Sequence, residues 1–303
     1  MTTENLSVLL FFIDGLGIGS RGPFNPLDGL EGAAPLAIFK DEQPETVFDG
    51  LVVPTDASLD VPGRPQSASG QTTILTGVNV PARLGYHKQG FPNGAMLDIL
   101  REHSLFLQLI KAGITPITFA NAYTDRFFTE RPRWVSATTA AVEAAGLQFR
   151  TVADVRAGSA VYQDFTNALL IERGEDVSVQ TAEGAASILA NLVSTNRFTL
   201  YEYFITDKLG HAQDMNAARE TLKNLAGLIR GLLARVDLNR TCVILTSDHG
   251  NIEDLSLHNH TLNAVPTIVW GAGHDRIAQR IKTLADISPT IVHLLTEKAN
   301  ARS

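Results

Sequence analysis

Cysteine is almost absent from this chain. Among 303 residues there is one, Cys242. That excludes an internal disulfide, and its place in the apolar run Cys242–Leu245 makes it a small buried hydrophobe rather than a nucleophile. A surplus of positive charge is also missing, since 25 Lys and Arg stand against 32 Asp and Glu, a net charge of −7. This balance argues against nucleic-acid binding through a broad basic surface and against docking on an anionic membrane. No apolar run is long enough to span a bilayer, and the first residues, MTTENLSVLLFFID, lack a basic segment and carry Glu4. They read as a leading strand, with the cytoplasm as the expected compartment. Internal repeats and low-complexity segments are absent too. What is present, 44% hydrophobic and 19% charged residues, is an ordinary globular composition. Its length suits one large domain, or one domain carrying an insertion.

Several apolar runs end on polar chemistry. Ser7–Ile13 is continuously apolar, as a strand buried on both faces should be, and leads into Asp14. The glycines that follow imitate a dinucleotide-binding fingerprint, but its third glycine position is Ser20, and Asp14 stands where a pyrophosphate would approach. The glycines instead let the backbone turn tightly away from the aspartate. Phe198–Thr206 reads as a second strand leading into Asp207-Lys208-Leu209-Gly210-His211, where a spacing of four puts carboxylate and imidazole on one side of a helical turn. The run at Cys242–Leu245 leads into Asp248-His249-Gly250. His260 follows after a short polar loop, and a further apolar run occupies Thr267–Trp270.

Helical spacing marks 105–112, 182–195 and 216–236, with a short strand at 115–120 between the first two. The alternation predicts an α/β domain with a mostly parallel central sheet and helices on both faces. Residues 21–62, rich in Pro, Gly, Asp and Glu, read as an irregular surface excursion. Pro65 and a Ser/Gly cluster then enter a helix over about 70–76 closed by Gly77, with Ser67 and Ser69 at or just before its N-terminus. Periodicity loosens over 121–179, which contains Arg126, Arg131, Arg133 and Arg150. The expected organisation is a core of 1–122 and 180–303 with a small inserted cap at 123–179, whose arginines could meet an anionic substrate. A closing helix is expected within Ile281–Leu295, with Ser288-Pro289 at its start.

Asp14, Asp207 and Asp248 would therefore gather where the carboxyl ends of strands form a ligand crevice. Three carboxylates there repel one another unless cations hold them, and His211, His249 and His260 supply imidazoles at the same place. His87, His103, His258, His274 and His293 lack this context, with His258 placed to support a neighbour.

Taken in order, Asp14-Gly15, the Ser67 segment, Asp207-x-x-Gly-His211, Asp248-His249-Gly250 and His260-Thr261 resemble the alkaline phosphatase superfamily. The closing Leu284–Val292 segment is similar as well. The nearest branches are the cofactor-independent phosphoglycerate mutases and the phosphopentomutases, and the likeness covers about 5–122 and 185–295. It implies two divalent ions, Zn²⁺ or Mn²⁺, one held by Asp207, His211 and His260 and the other by Asp14, Asp248, His249 and the Ser67 hydroxyl. It also implies that Ser67, ten positions before the closing glycine of its helix, is the nucleophile rather than Ser69.

Two departures narrow the expectation. Sulfatases of the superfamily carry x-Pro-x-Arg after the nucleophile, whereas Ala68-Ser69-Gly70-Gln71 follows Ser67. The large insertion that follows the mutase's nucleophile helix is missing. The expected activity is hydrolysis of a small-molecule phosphate ester through phosphoserine at Ser67, with a phosphomutase as the alternative. A non-catalytic metal-binding protein would lack a ligand or Ser67, and none is lacking.

Overall fold

The computed structural model describes residues 6–42 and 44–297. In chain order the first part contains strands β1 (Ser7–Ile13), β2 (Thr46–Val47) and β3 (Gly50–Thr55), then helices α1 (Ser67–Thr76), α2 (Val80–Leu84), α3 (Gly94–His103) and α4 (Leu105–Lys111). The middle holds β4 (Ile117–Phe119), β5 (Ala122–Tyr123), α5 (Asp125–Thr129), α6 (Ala137–Ala144), β6 (Arg150–Thr151), α7 (Val152–Arg156) and α8 (Ala168–Glu172). The last part runs through α9 (Ala182–Thr195), β7 (Phe198–Tyr203), α10 (Ile205–Ala212), α11 (Met215–Leu233), β8 (Thr241–Ser247), β9 (Val265–Gly271), α12 (His274–Ala278) and α13 (Ile287–Thr296).

A seven-stranded sheet in the order β2-β3-β9-β8-β1-β7-β4 forms the centre. β1 lies between β7 and β8 and is parallel to both, and β4 is parallel to β7. The flank beyond β8 alternates, with β9 antiparallel to β8, β3 antiparallel to β9 and β2 antiparallel to β3. The continuous apolar runs are explained by helices on both faces. Leu9, Phe11 and Ile13 of β1 join Val243, Leu245 and Tyr201 in one core, covered by Leu189 of α9 and Leu222 and Leu225 of α11. Val8, Leu10 and Phe12 point the other way, joining Ile244 and Leu200 under Ile74 of α1, Phe106 of α4 and Ile291 of α13. Strand side chains alternate between faces, so every position of such a strand is buried. Each large apolar side chain fully buried in this way stabilises the fold by roughly 1.5–3 kcal/mol.

Three expectations need correction. The excursion over 21–62 is not wholly irregular, because β3 pairs with β9 and extends the sheet, and Leu27, Leu36, Ile38 and Phe39 are buried. Short two-sided pairing at an edge leaves little periodicity to read. Strand β7 stops at Tyr203, so Asp207 stands in the first turn of α10 and not at the strand's end. Helix α13 begins at Ile287, which puts Pro289 third rather than first. Over 121–179, α6 buries Ala137, Ala141 and Val142 in the same core as α1 and α4, while Val152, Ala160, Tyr162 and Leu170 form a small cluster of their own.

Candidate metal centre and active site

Three turns bring the polar residues together. Asp14 follows β1, its N–H donating to the Tyr203 carbonyl at 2.8 Å, so it sits beside the end of β7. Gly15 then takes φ +76°, and a Cβ there would stand 2.9 Å from Asp207, so the turn needs glycine for both conformation and space. Asp207 and His211 lie one turn apart on α10, with His211 Nε2 3.5 Å from Asp207 Oδ2. Asp248 and His249 follow β8 directly and are fully buried. His260 comes back on the loop before β9, stacking its ring on His249 at a centroid distance of 3.6 Å.

Ser67 is the first residue of α1, with Gln66 as the cap and Gly77 closing the helix at φ +77°. Its Oγ lies 2.9 Å from His249 Nε2. Ser69 is used otherwise, since its hydroxyl accepts from the Lys88 N–H at 3.1 Å and it is fully buried. Of the two serines, the structure brings Ser67 alone to the histidines.

Among the described residues two groups have the spacing for a metal ion, Asp207 with His211 and His260, and Asp14 with Asp207 and His249, the ligand atoms of each lying within 4.8 Å of one another. Asp207 belongs to both, and Asp248 reaches the second through Oδ2, 3.5 Å from His249 Nε2. The donor set fits a cation for three reasons. Asp14 Oδ1 and Asp248 Oδ2 are buried without a hydrogen-bond partner, which is costly for a carboxylate unless something positive faces it. Nε2 of His249 bonds with Ser67 Oγ at 2.9 Å, and Asp14 Oδ1 at 3.2 Å and Asp248 Oδ2 at 3.5 Å crowd it without a bond of their own, more oxygens than one nitrogen can serve. His260 Nδ1 is 2.8 Å from the Pro65 carbonyl and His211 Nδ1 3.0 Å from the His258 carbonyl. Donating there leaves both Nε2 atoms with lone pairs, 3.2 Å apart, an arrangement that orients imidazoles for a metal. His258 thus supports the site through its carbonyl, and its ring lies edge-on to His211 at 6.0 Å between centroids.

Charge follows the crowding. Burial, and then the charge of Asp207, push the Asp14 carboxyl well above its ordinary value, and burial followed by Asp14 does the same to Asp248. Burial works against Asp207 too, but bonds and charge from His260, His249 and Asn251 hold it down at about 2. Burial, then the neighbouring His260, lower His249 to about 3, so its imidazole is neutral and able to ligate.

Four polar residues of this region escape a reading by motif. Glu253 is buried and accepts from the N–H groups of Gly17 at 2.9 Å and Asn251 at 2.7 Å, the Thr261 hydroxyl at 2.5 Å and the Asn263 amide at 2.8 Å. It ties the turn after Asp14 to the segments carrying His249 and His260, and a Cβ at Gly17 or Gly250 would come within 2.2 Å of it. Gln71 donates to Asp14 Oδ2 at 3.0 Å. Asn251 donates to Asp207 Oδ1 at 2.7 Å. Glu202, an acid inside the apolar run of β7, is buried beside them. That interruption of an apolar strand was the one signal visible in the sequence.

A cavity of about 440 Å³ opens onto Asp14 and Ser67 and is lined further by Phe91, Tyr123, Phe127, Arg173 and Glu202. The arginines singled out from the sequence do not line it. Arg126 pairs with Glu130 and Arg131 with Glu143, Arg150 donates to the Ser159 carbonyl, and Arg133 lies over Trp134. A larger cavity, about 870 Å³ around Asn239, Arg240, Trp270 and Arg276, lies where β1 and β8 begin and touches none of the candidate ligands. The ligand crevice of an α/β sheet is at the other end of the strands.

The family model of the Metalloenzyme superfamily matches residues 141–299, more than half of the chain. The chain belongs to the Metalloenzyme superfamily. Its members are enzymes, and membership implies a divalent metal, for which the two groups above are the candidate ligands. The match includes Asp207, His211, Asp248, His249 and His260. A 2,3-bisphosphoglycerate-independent phosphoglycerate mutase of Roseobacter denitrificans is 35% identical over 100 residues, 31% of this chain and 20% of the mutase. The chain thus matches about a fifth of that relative's length. In fold it is similar to the PH0037 protein of Pyrococcus horikoshii, with a TM-score of 0.54, 14% identity and coverage of 98% of this chain and 100% of that one. A cold-active alkaline phosphatase of a Shewanella species gives 0.54 and 11%, covering 96% and 100%. The α/β fold of this superfamily is therefore established by sequence and architecture together.

Proposed function

We propose that the protein is a two-metal phosphohydrolase that cleaves a small phosphate monoester through a phosphoserine at Ser67. The observation that carries this reading is Ser67 Oγ at the N-terminus of α1, 2.9 Å from His249 Nε2 and beside the partnerless oxygens of Asp14 and Asp248. Asp207, His211 and His260 would hold one ion, and Asp14, Asp248, His249 and the Ser67 hydroxyl the other, with Asp207 between them. Mixed nitrogen and oxygen donors suit Zn²⁺ or Mn²⁺. Bound there, the ions would supply Lewis-acid stabilisation of phosphoryl oxygens and ease deprotonation of the nucleophilic hydroxyl.

The chain supplies the rest. The N-terminus of α1 favours the anionic phosphoryl group, and Gln71 steadies Asp14. Ser67 Oγ bonds to phosphorus as the ester P–O bond breaks, and the serine proton ends on the departing alcohol. Water then attacks phosphorus, the Oγ–P bond breaks, a proton of that water returns to Ser67 Oγ, and phosphate leaves. Phe91 and Arg173, two cavity-lining residues, are exposed, which favours access of water to the phosphoserine. The segment 123–179, read here as a cap, commits α6 to the core and leaves short elements beside the cavity.

Ser67→Ala should retain bound metal and lose turnover by about three orders of magnitude or more. Wild-type protein given an ester in ¹⁸O-water should release labelled phosphate. The similarity to a phosphoglycerate mutase supports a second reading, return of the phosphoryl group to the same molecule, which would appear as isomerisation without phosphate release. Full activity in Ser67→Ala would remove the serine from the reaction.

A further inference from the structure

The lining of the 440 Å³ cavity next to Ser67 includes a group of aromatic rings among its polar residues. Phe91, Phe119, Tyr123, Phe127 and Phe204 line it. The wall is held in place, with Tyr123 meeting Phe127 edge-on at 4.5 Å between centroids and Phe149 behind it at 4.8 Å. The Tyr123 hydroxyl is 2.7 Å from Thr139 Oγ1, so this ring is anchored at its polar end. The charged residues of the lining are Asp14, Glu202 and Arg173. Arg173 already donates to the Tyr162 hydroxyl at 2.8 Å. A small polar alcohol gains little from these rings. A flat uncharged group, by contrast, gains buried apolar area and ring contacts.

Resting on the phosphohydrolase reading, we infer that the cavity selects esters whose alcohol is a neutral aromatic or otherwise flat apolar group over those with a small polar alcohol. Phosphorus sits over Ser67, and the alcohol lies along Tyr123 and Phe127. The hydrolytic step is the one written above, with the P–O bond to that alcohol breaking and its oxygen taking up the Ser67 proton.

The test compares benzyl phosphate, glycerol 3-phosphate and 3-phosphoglycerate as substrates of the metal-loaded protein. All three have poor alkyl leaving groups, so a preference reports binding and not intrinsic reactivity. The expected kcat/KM for benzyl phosphate exceeds those for glycerol 3-phosphate and 3-phosphoglycerate at least about tenfold, as one buried ring allows. Phe127→Ala should lower the benzyl phosphate value about tenfold. It should leave inhibition by inorganic phosphate unchanged, since that anion needs only the metal site, and an altered phosphate inhibition constant would count against a role confined to the alcohol. Equal turnover of the three esters, or preference for either small polar one, overturns the inference and leaves the hydrolase reading intact. If no ester releases phosphate, the hydrolase reading falls. Calorimetric titration of Ser67→Ala then still decides the inference, which requires tighter binding of benzyl phosphate than of 3-phosphoglycerate.

Discussion

Glu253 and Glu202 show how differently two buried acids behave. Glu253 meets four donors and holds three segments in register. Glu253→Gln keeps the size but points an amide NH₂ at groups that are themselves donors, leaving at least one buried donor unpaired. The expected loss is about 1–3 kcal/mol in urea unfolding, accompanied by weaker metal binding in calorimetry. Unchanged metal affinity would show that the turn after Asp14 does not depend on this hub. Glu202 has no such donor set. Burial first, and then the charge of Asp14, push its carboxyl up to about 8, with a Thr138 hydrogen bond working the other way. A raised acid is held protonated in the folded chain after the unfolded chain has lost its proton. Its contribution to stability is therefore full below about 4.5 and is lost as pH rises through about 8. Glu202→Gln, always neutral, should gain stability relative to the parent between pH 5 and pH 8 when both are measured metal-free. A constant difference across that range would mean that Glu202 titrates normally.

At the scale of elements, α1 matters most because it delivers Ser67. The helix is polar and nearly all buried, with Thr72, Thr73 and Thr76 hydroxyls donating to carbonyls four residues back. Its direction is therefore set by what it packs against, and its end by Gly77. A Cβ at Gly77 would meet Pro289 of α13 at 2.7 Å in addition to the cost of φ +77°. Gly77→Ala should destabilise the protein by about 1–2 kcal/mol from the left-handed backbone alone, and by more if α13 cannot yield. A denaturation midpoint equal to the parent's would show that the α1–α13 contact is loose. The expected helix at 70–76 began three residues late because Ser67, Ala68 and Ser69 carry no helical periodicity of their own. Gly15 plays the matching part at the end of β1, where open space for Asp207 matters as much as the turn.

For the whole molecule, the metals and the core are separable. Leu9, Phe11, Val8 and Leu10 with their partners form two packed layers that do not involve the ligand cluster. A core of this size holds without an ion. Chelation should therefore abolish activity and leave the far-UV circular dichroism nearly unchanged, while elemental analysis of the untreated protein finds up to two divalent ions per chain. His260→Ala and Asp248→Asn should each lower that metal content. Loss of most secondary structure on chelation, or full metal content in both variants, would contradict this separation.

The ligand candidates could be read from the chain because chemistry and neighbourhood coincide in sequence. Asp207 and His211 are one helical turn apart, Asp248 and His249 are adjacent, and Asp14 ends an apolar run, so strand ends and residue types together point to one crevice. A mostly parallel central sheet was similarly implied by helices falling between apolar runs. Tertiary structure alone decided the rest. It placed Glu253 on Gly17 across 236 positions and Gln71 on Asp14 across 57. It took β3 from an irregular stretch to extend the sheet and put Arg173, not the expected arginines, at the cavity. These pairings carry no periodicity, because a single polar contact is specified by where two distant segments land and not by the residues around either one.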